Sequence, residues 1–216
     1  MVSGLDAGAV RAWVDAFLDA ADAQRVALGE LDRESGDGDF GTNLLTSVTR
    51  ARTDLANAPA SADPGAPFAA LSNAFLHTGG TSGPLYGVWF RELARALSEH
   101  EAASLDVLAR AVATGTETVQ RLGGAAVGDK TMVDAMVPAV EALQRAHAQG
   151  DPLAQALATA ATAARVAAEA TADLVARRGR ASYVGEVARG VVDPGALTVA
   201  LFFEAAPGVT SAAANA

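Results

Sequence analysis

The chain has 216 residues, half of them hydrophobic but only 5% aromatic, and its formal net charge is −9. Because the balance is acidic and no basic run occurs, we expect neither a nucleic-acid partner nor an anionic-membrane surface. The absence of cysteine excludes disulfides, thiolate metal sites and cysteine nucleophiles. The length favours one domain, which we predict over residues 1–206, with a flexible C-terminal tail over 207–216.

The N-terminal segment carries Asp6 and lacks an apolar h-region, so we do not expect a signal peptide. No stretch approaches the ~18 uninterrupted apolar residues of a membrane span. These features predict a cytoplasmic protein with no membrane partner. Nucleotides remain open as ligands, because a bound metal ion can reverse the local sign of an acidic site.

Apolar residues recur at i, i+3, i+4 and i+7 along most of the chain, which predicts amphipathic helices. The periodic sets cover residues 10–21, 44–55, 68–75, 86–97, 105–119, 132–143 and 152–176. Asp151 before Pro152 predicts the start of the seventh helix, and Asp193 before Pro194 predicts the start of an eighth. No convincing alternating strand is found. The predicted fold class is therefore all-α: an eight-helix antiparallel up-and-down barrel or bundle.

Four glycine-rich connections carry the residues that are chemically most distinctive. They are residues 31–43 (the first connection), 78–84 (the second), 123–131 (the third) and 177–195 (the fourth). If successive helices alternate in direction, the joints after helices 1, 3, 5 and 7 lie at the same end of the bundle. Each of the four connections follows an odd-numbered helix, so we expect them to form one site at one end.

The first connection reads LDRESGDGDFGTN. Its GDGDFG segment matches G-x-G-x-x-G, but a helix precedes it, so a dinucleotide-binding loop is not expected. An EF-hand also fails, because Val48 falls where a bidentate glutamate is required. The glycines allow Asp32, Asp37 and Asp39 to converge, and carboxylates so close disfavour one another's charge unless a cation lies among them. The alternatives are a magnesium site and a solvated acidic turn with a helix cap.

The second and third connections offer groups that suit anions. Thr81 and Ser82 stand where a helix begins, and hydroxyls with first-turn N–H groups form an anion cradle; a glycine turn with a serine cap is the alternative. The third connection resembles the P-loop pattern G-x-x-x-x-G-K-[ST], but Asp129 is inserted between Gly128 and Lys130. A true P-loop is therefore not expected, although a nucleotide could lie against the glycine backbone. Asp129 and Lys130 could equally be a surface pair that caps the next helix.

The fourth connection gathers Arg177, Arg178 and Arg180, the densest positive charge in the chain. Arginine near a carboxylate-bound metal suits a polyphosphate, because both cations neutralise the transferring group. The alternative is a solvated helix end, where arginine meets the helix dipole favourably. Taken together, the acidic, hydroxyl-bearing and arginine-rich connections predict a magnesium-nucleotide site.

Four motifs resemble those of the nucleotide-binding L subunits of dihydroxyacetone kinases, in the same order along the chain. The motifs are LDRESGDGDFGTN, GGTSGPLYG, GDKTMVDAMVPA and GRASYVGEVARGVVDPGA, within roughly residues 30–196. The resemblance implies an eight-helix antiparallel barrel that binds Mg-ADP or Mg-ATP at one end. It also implies a separate K subunit that holds dihydroxyacetone covalently on a histidine and receives the γ-phosphoryl group from the L subunit.

The resemblance also assigns site residues. Asp32, Asp37 and Asp39 match the magnesium-binding aspartates, with two ions expected. The nucleotide-binding positions that it implies are Phe40, Gly41, Thr42, Asn43, Thr81, Ser82, Gly123, Met132, Arg180, Asp193, Pro194 and Gly195. Arg180 is also the expected catalytic residue, because it would stabilise charge on the transferring group. Phe40 departs from the family, in which a histidine contacts phosphate at this position, and the hydroxyl of Thr81 could compensate in part.

The expected function is therefore that of a kinase subunit of the glycerone kinase type, inactive without its K partner. The substrate is dihydroxyacetone or a related small ketose such as erythrulose. The phosphoryl donor is either exchangeable ATP or bound ADP that a phosphotransferase-system protein rephosphorylates. A non-catalytic nucleotide-binding regulator that signals to a partner protein is the alternative function, and a homodimer is left open.

Overall fold

The computed structural model of the chain describes residues 4–58 and 61–206. Its α-helices are α1 (Ala7–Ser35), α2 (Phe40–Asn57), α3 (Ala66–Leu76), α4 (Ser82–Leu97), α5 (Leu105–Gly123), α6 (Val133–Gln149), α7 (Leu153–Ala170) and α8 (Pro194–Glu204). Within these two ranges there is no β-strand, and one isolated antiparallel bridge joins Leu5 to Ala103. The all-α prediction is confirmed. The tail predicted over 207–216 lies outside the described residues.

The helices form a closed ring, because each packs against the next along the chain and α8 packs against α1. The connections after α1, α3, α5 and α7 lie at one end of the barrel, where residues of all four line one cavity. This agrees with the placement predicted from helix parity. Among the described residues, no helix combines the length and the apolar character that crossing a membrane requires.

The barrel interior contains a cluster of aromatic side chains from α1, α3, α4 and α8, surrounded by alanine, leucine and valine side chains. Trp13 stacks on Phe202 with ring centroids 4.6 Å apart, and Phe68 meets Trp13 edge-on at 5.5 Å. The indole Nε1 of Trp13 donates a hydrogen bond of 2.7 Å to the Phe202 carbonyl, whereas the buried Nε1 of Trp89 has no hydrogen-bond partner among the described residues. The aromatic cluster thus joins the first and last helices and closes the barrel.

Capping chemistry predicts one of the two Asp-Pro helix starts correctly. Asp193 caps α8, and its carboxylate accepts a hydrogen bond of 2.7 Å from the Ala196 N–H. The prediction for α7 is wrong by one residue, because the helix begins at Leu153 and Pro152 is its N-cap. Proline has no side-chain acceptor, so the first turn of α7 lacks the cap that Asp151 was expected to provide.

The predicted extension of helix 7 to residue 176 is also wrong, because α7 ends at Ala170. Three 3₁₀-helices follow it, Thr171–Asp173, Arg180–Tyr183 and Gly185–Ala188. The apolar sequence pattern continues beyond Ala170, but at Thr171 tertiary hydrogen bonds replace those of the helix. The Thr171 carbonyl accepts from Lys130 Nζ, and the Thr171 hydroxyl accepts from the Asp193 N–H. In the structure the fourth connection therefore runs over residues 171–193.

Candidate functional site

One cavity opens at the end of the barrel where the four connections meet, and all four contribute to its lining. The predicted site residues that line it are Asp32, Asp37, Asp39, Phe40, Asn43, Thr81, Ser82, Gly123, Met132, Arg180, Asp193, Pro194 and Gly195. Gly41 and Thr42 are the predicted residues that lie outside this lining. The structure therefore brings together residues that are up to 163 positions apart (195 − 32).

Three carboxylates converge at the mouth of the cavity. Oxygen atoms of Asp32, Asp37 and Asp39 all lie within 4.8 Å of one another. Asp32 belongs to the last turn of α1 and Asp39 directly precedes α2, so the tight turn between the antiparallel helices folds them together. Gly38 makes this turn at φ +77°, a left-handed conformation that glycine adopts without steric cost. An all-oxygen set of this kind fits a hard divalent cation such as Mg²⁺.

The residues that follow the acidic turn hold it against the barrel. The backbone N–H of Phe40 donates to Asp32 Oδ2 at 3.0 Å, while the half-buried Phe40 ring packs against the apolar core. A Cβ atom at Gly41 would collide with the Arg25 carbonyl and lie against the backbone of Gly29. Gly41 is therefore required for the close approach of α1 and α2, which explains its place outside the cavity lining.

Arg180 lies across the acidic cluster from the opposite side of the cavity. Its guanidinium pairs with Asp37, and its Nη1 donates to Asp39 Oδ2 at 3.2 Å. The side chain is 42% exposed, so the pairs contribute little to stability. The geometry nevertheless shows that an arginine of the fourth connection reaches the carboxylates of the first, although 141 residues separate Arg180 from Asp39.

The second connection presents hydroxyl groups to the cavity. Helix α4 starts at Ser82, and its N-cap Thr81 makes no side-chain cap hydrogen bond in the structure as described, so the serine-cap alternative is wrong. First-turn N–H groups of a helix attract anions, and two hydroxyl groups lie beside them here. Gly80 has φ +80°, and a Cβ atom there would lie 3.0 Å from Asn43 Nδ2. The glycine turn thus packs directly on Asn43 of α2.

Lys130 of the third connection is buried, with 2% of its surface exposed. Its Nζ atom donates hydrogen bonds of 2.6 Å to the carbonyls of Thr171 and Val191. Burial lowers the pKa of Lys130, although the charges of Asp193, Asp134 and other carboxylates oppose this shift. The alternative of an exposed Asp129–Lys130 surface pair is therefore wrong, because the ammonium group binds backbone carbonyls of the fourth connection.

Asp193 and Tyr86 form part of the inner wall of the cavity. Desolvation raises the pKa of Asp193 to about 7, although its hydrogen bond from the Ala196 N–H acts in the opposite direction. Burial also raises the pKa of Tyr86 well above its usual value, and the Tyr86 hydroxyl donates to the Gly195 carbonyl at 2.6 Å. The hydrogen bond from Tyr86 of α4 thus holds the first turn of α8 in place where α8 borders the cavity.

Sequence reasoning missed several residues that shape the site. The hydroxyl of Ser47 donates to Thr78 Oγ1 at 2.8 Å and thereby ties α2 to the second connection. Asp134 is 4% exposed, and its carboxylate accepts from the Gly128 and Thr131 N–H groups at 2.6 and 2.7 Å. The position of Asp134 in the first turn of a predicted helix was a usable signal for a loop cap. Ser47 lies within α2 and Thr78 begins the second connection, and no sequence pattern predicts their contact.

The fold and the cavity together define an all-helical barrel domain with an acidic, hydroxyl-lined site at one end. A family model of the DAK2 domain matches residues 34–207. The L-erythrulose 1-kinase of Mycolicibacterium smegmatis is 37% identical over 196 residues, which cover 89% of this chain and 34% of that protein. The ADP-binding subunit DhaL of the PEP-dependent dihydroxyacetone kinase of Escherichia coli is 36% identical over 190 residues, 87% of this chain and 89% of the subunit.

A solved structure is also similar, the dihydroxyacetone kinase of C. freundii in complex with AMP-PNP and Mg²⁺. It matches with a TM-score of 0.70 and 26% identity over 92% of this chain and 33% of that one. This chain therefore spans about a third of the longer kinases and most of the DhaL subunit. The chain belongs to the DAK2 domain family.

Proposed function

We propose that this chain is the nucleotide-binding, phosphoryl-transfer subunit of a kinase for dihydroxyacetone or a related small ketose. The observation that carries the proposal is the convergence of Asp32, Asp37 and Asp39 with Arg180 at one cavity. Two further facts support it. The similar proteins include kinases of dihydroxyacetone and erythrulose, and the similar solved structure contains AMP-PNP and Mg²⁺.

The proposed roles follow from the donor and acceptor groups around the cavity. Asp32, Asp37 and Asp39 would hold magnesium, two ions in this proposal, and the bound metal would neutralise phosphate charge. The hydroxyls of Thr81 and Ser82 and the first-turn N–H groups of α4 would donate to phosphate oxygens. Arg180, which already reaches the acidic cluster, would stabilise the charge that develops on the transferring group.

The inner residues would enclose the rest of the nucleotide. Phe40 and Met132 provide apolar wall, and the backbone of Gly123 and of Pro194–Gly195 allows close approach. Because the Phe40 side chain has no hydrogen-bond donor, its contribution to phosphate binding would be indirect: its backbone N–H orients the Asp32 carboxylate. The nucleotide in this proposal is ATP, or ADP that a phosphotransferase-system donor rephosphorylates. We also propose that residues 1–206 act as one domain.

The ketose would be held elsewhere, on a separate K subunit, and this chain alone would be inactive. Two observations support this division. The chain matches about a third of each longer kinase, which leaves the acceptor site to another part or another chain. Apolar side chains are also exposed beside Arg180, with Tyr183 at 89% and Val187 at 76%, as expected where a partner docks.

The test is a reconstituted transfer reaction. The chain is mixed with a K subunit from the same genome, Mg-ATP and dihydroxyacetone or erythrulose, and the phosphorylated ketose is measured by ³¹P NMR. A parallel sample contains bound ADP and a phosphotransferase-system donor in place of ATP. We expect product only when both subunits are present. Nucleotide binding without transfer to any ketose would favour the regulator and overturn the kinase proposal.

A further inference from the structure

The fourth connection has the form of a loop with a closed neck. The Gly190 N–H donates to the Ala172 carbonyl at 2.8 Å, and the Asp193 N–H donates to Thr171 Oγ1 at 2.8 Å. These bonds bring the two ends of the connection together. Arg180 lies between the two ends, so its position over the acidic cluster depends on how the neck is held.

Lys130 binds both sides of this neck from outside the connection. Its ammonium group donates to the carbonyl of Thr171 on one side and of Val191 on the other, each at 2.6 Å. Hydrogen bonds from a charged donor are shorter and stronger than neutral ones, and this donor is 2% exposed. Lys130 also has φ +62°, a rare conformation for a residue other than glycine, which persists only where surrounding contacts fix it.

The third connection that carries Lys130 is itself held firmly. Asp134 accepts from the N–H groups of Gly128 and Thr131 on either side of Lys130. A second link to the fourth connection runs through Asp129, whose carbonyl accepts from the Arg177 N–H at 3.1 Å. The neck is therefore attached to the third connection, whose conformation is held by Asp134 in the first turn of α6.

We propose that Lys130 is a positioning residue that closes the neck of the fourth connection and thereby places Arg180 and Asp193 at the cavity. The ammonium group binds two backbone carbonyls, so Lys130 acts through the connection and does not need to touch a ligand. The role in holding the neck stands on geometry alone. The consequence for nucleotide binding and transfer rests on the proposed function.

The first experiment compares Lys130→Met with Arg189→Met by hydrogen–deuterium exchange. Methionine keeps the unbranched chain of lysine except for its terminal ammonium group, and it donates nothing. Arg189 lies in the same connection but forms an exposed pair with Glu186 at 3.1 Å, so it is a matched control. We expect Lys130→Met to speed exchange over residues 174–190 about tenfold or more, the loss expected for a charge-assisted hydrogen bond, while α1 and α2 are unchanged.

The same variants are then titrated with Mg-ADP and assayed for transfer. Lys130→Met is expected to lower kcat for transfer more than it raises the KM for nucleotide, because Arg180 moves while the three aspartates stay in place. Exchange that rises equally in every helix, or an effect no larger than that of Arg189→Met, would overturn the positioning role. If the parent protein does not bind Mg-ADP, the proposed function fails, and the exchange data still decide the role of Lys130.

Chemical rescue provides a second test that does not depend on the methionine variant. The chain has no cysteine, so Lys130→Cys introduces a unique thiol. Alkylation in denaturant with 2-bromoethylamine, followed by refolding, restores an ammonium group at nearly the original length; alkylation with iodoethane gives a neutral control that donates no hydrogen bond. We expect slow exchange over 174–190 only with the ammonium group. Equal protection with both reagents would contradict the proposal.

Discussion

The two ends of the barrel use their polar side chains in different ways. At the end opposite the cavity, polar groups are paired locally: Asp63 accepts from the Gly65 N–H at 2.7 Å and from Ser98 Oγ at 2.9 Å. The backbones of Leu5 and Ala103 close the same end with two mutual hydrogen bonds. At the cavity end, three carboxylates are gathered together and are met by one exposed arginine. Carboxylates held this close repel one another unless a cation lies among them, so their clustering indicates a functional role. The polar groups at the opposite end are paired with hydrogen-bond donors, which indicates a structural role.

The largest expected effect concerns Arg180, the cation that spans the acidic cluster. Arg180→Met should lower the rate of phosphoryl transfer about 10³-fold or more, the scale of an arginine that stabilises a transferring phosphoryl group. The melting temperature should change little, because the side chain is 42% exposed. Transfer rates with the K subunit and thermal melting measure the two effects. A variant that transfers at the parental rate would remove Arg180 from the catalytic role.

The next effect concerns the carboxylates. Asp37→Ala should weaken Mg-ADP binding about 100-fold or more. Even the loss of a residue that only hydrogen-bonds a metal ligand lowers metal affinity about 10–100-fold, and Asp37 is a proposed ligand itself. The variant should be as stable as the parent without ligand, because the change relieves repulsion among three close carboxylates. Isothermal calorimetry and thermal melting provide the two measurements. Loss of stability with intact affinity would assign Asp37 to structure instead.

A smaller effect is a pH dependence that arises from Asp193. Its folded-state pKa of about 7 exceeds the usual value of 3.8, so between these values the native state binds more protons than the unfolded state. Stability from this group is therefore lost as pH rises from 4 to 7, by an amount on the order of 2–4 kcal/mol. Asp193→Asn keeps an N-cap acceptor but does not titrate. Denaturant unfolding should show a flatter pH profile for this variant, and parallel profiles would contradict the assignment.

The smallest effect is expected at the opposite end of the barrel. Asp63→Ala removes an acceptor from two hydrogen bonds and should cost about 1 kcal/mol, which lowers the melting temperature by about 2–4 °C. Affinity for Mg-ADP should not change. Together with Asp37→Ala this variant tests the contrast between the two ends of the barrel. Asp37→Ala should lower the affinity for Mg-ADP and leave the melting temperature unchanged, whereas Asp63→Ala should do the reverse.

The sequence predicts the fold well because helical periodicity is local. Apolar spacing defines seven helices, the Asp193-Pro194 pair marks the start of an eighth, and their alternation predicts which connections share an end. Helix ends are predicted less well: α7 stops at Ala170 because Lys130 and Asp193 bind Thr171, and such tertiary bonds leave no local pattern. The interpretation of Lys130 as a surface residue failed for the same reason. Its partners are carbonyls 41 and 61 residues away, which spacing alone does not reveal.

Residue spacing predicts part of the site, and the remaining part is visible only in the structure. Spacing alone shows that Asp32, Asp37 and Asp39 can converge, and the structure places their oxygens within 4.8 Å. Spacing leaves Gly41 and Thr42 indistinguishable from their neighbours. The structure places the α1–α2 packing contact at Gly41 and leaves the Thr42 side chain exposed, outside the cavity lining. The nucleotide-binding and metal-binding roles of the remaining residues stay predictions.

The most direct test of the central claim is the magnesium dependence of ADP binding. Calorimetric titration of the parent protein with ADP is carried out in excess Mg²⁺ and again in EDTA. If the three aspartates act by holding magnesium, affinity should fall about 100-fold or more in EDTA, because carboxylates repel phosphates that no cation neutralises. Equal affinity in both buffers, or no binding in either, would contradict the account.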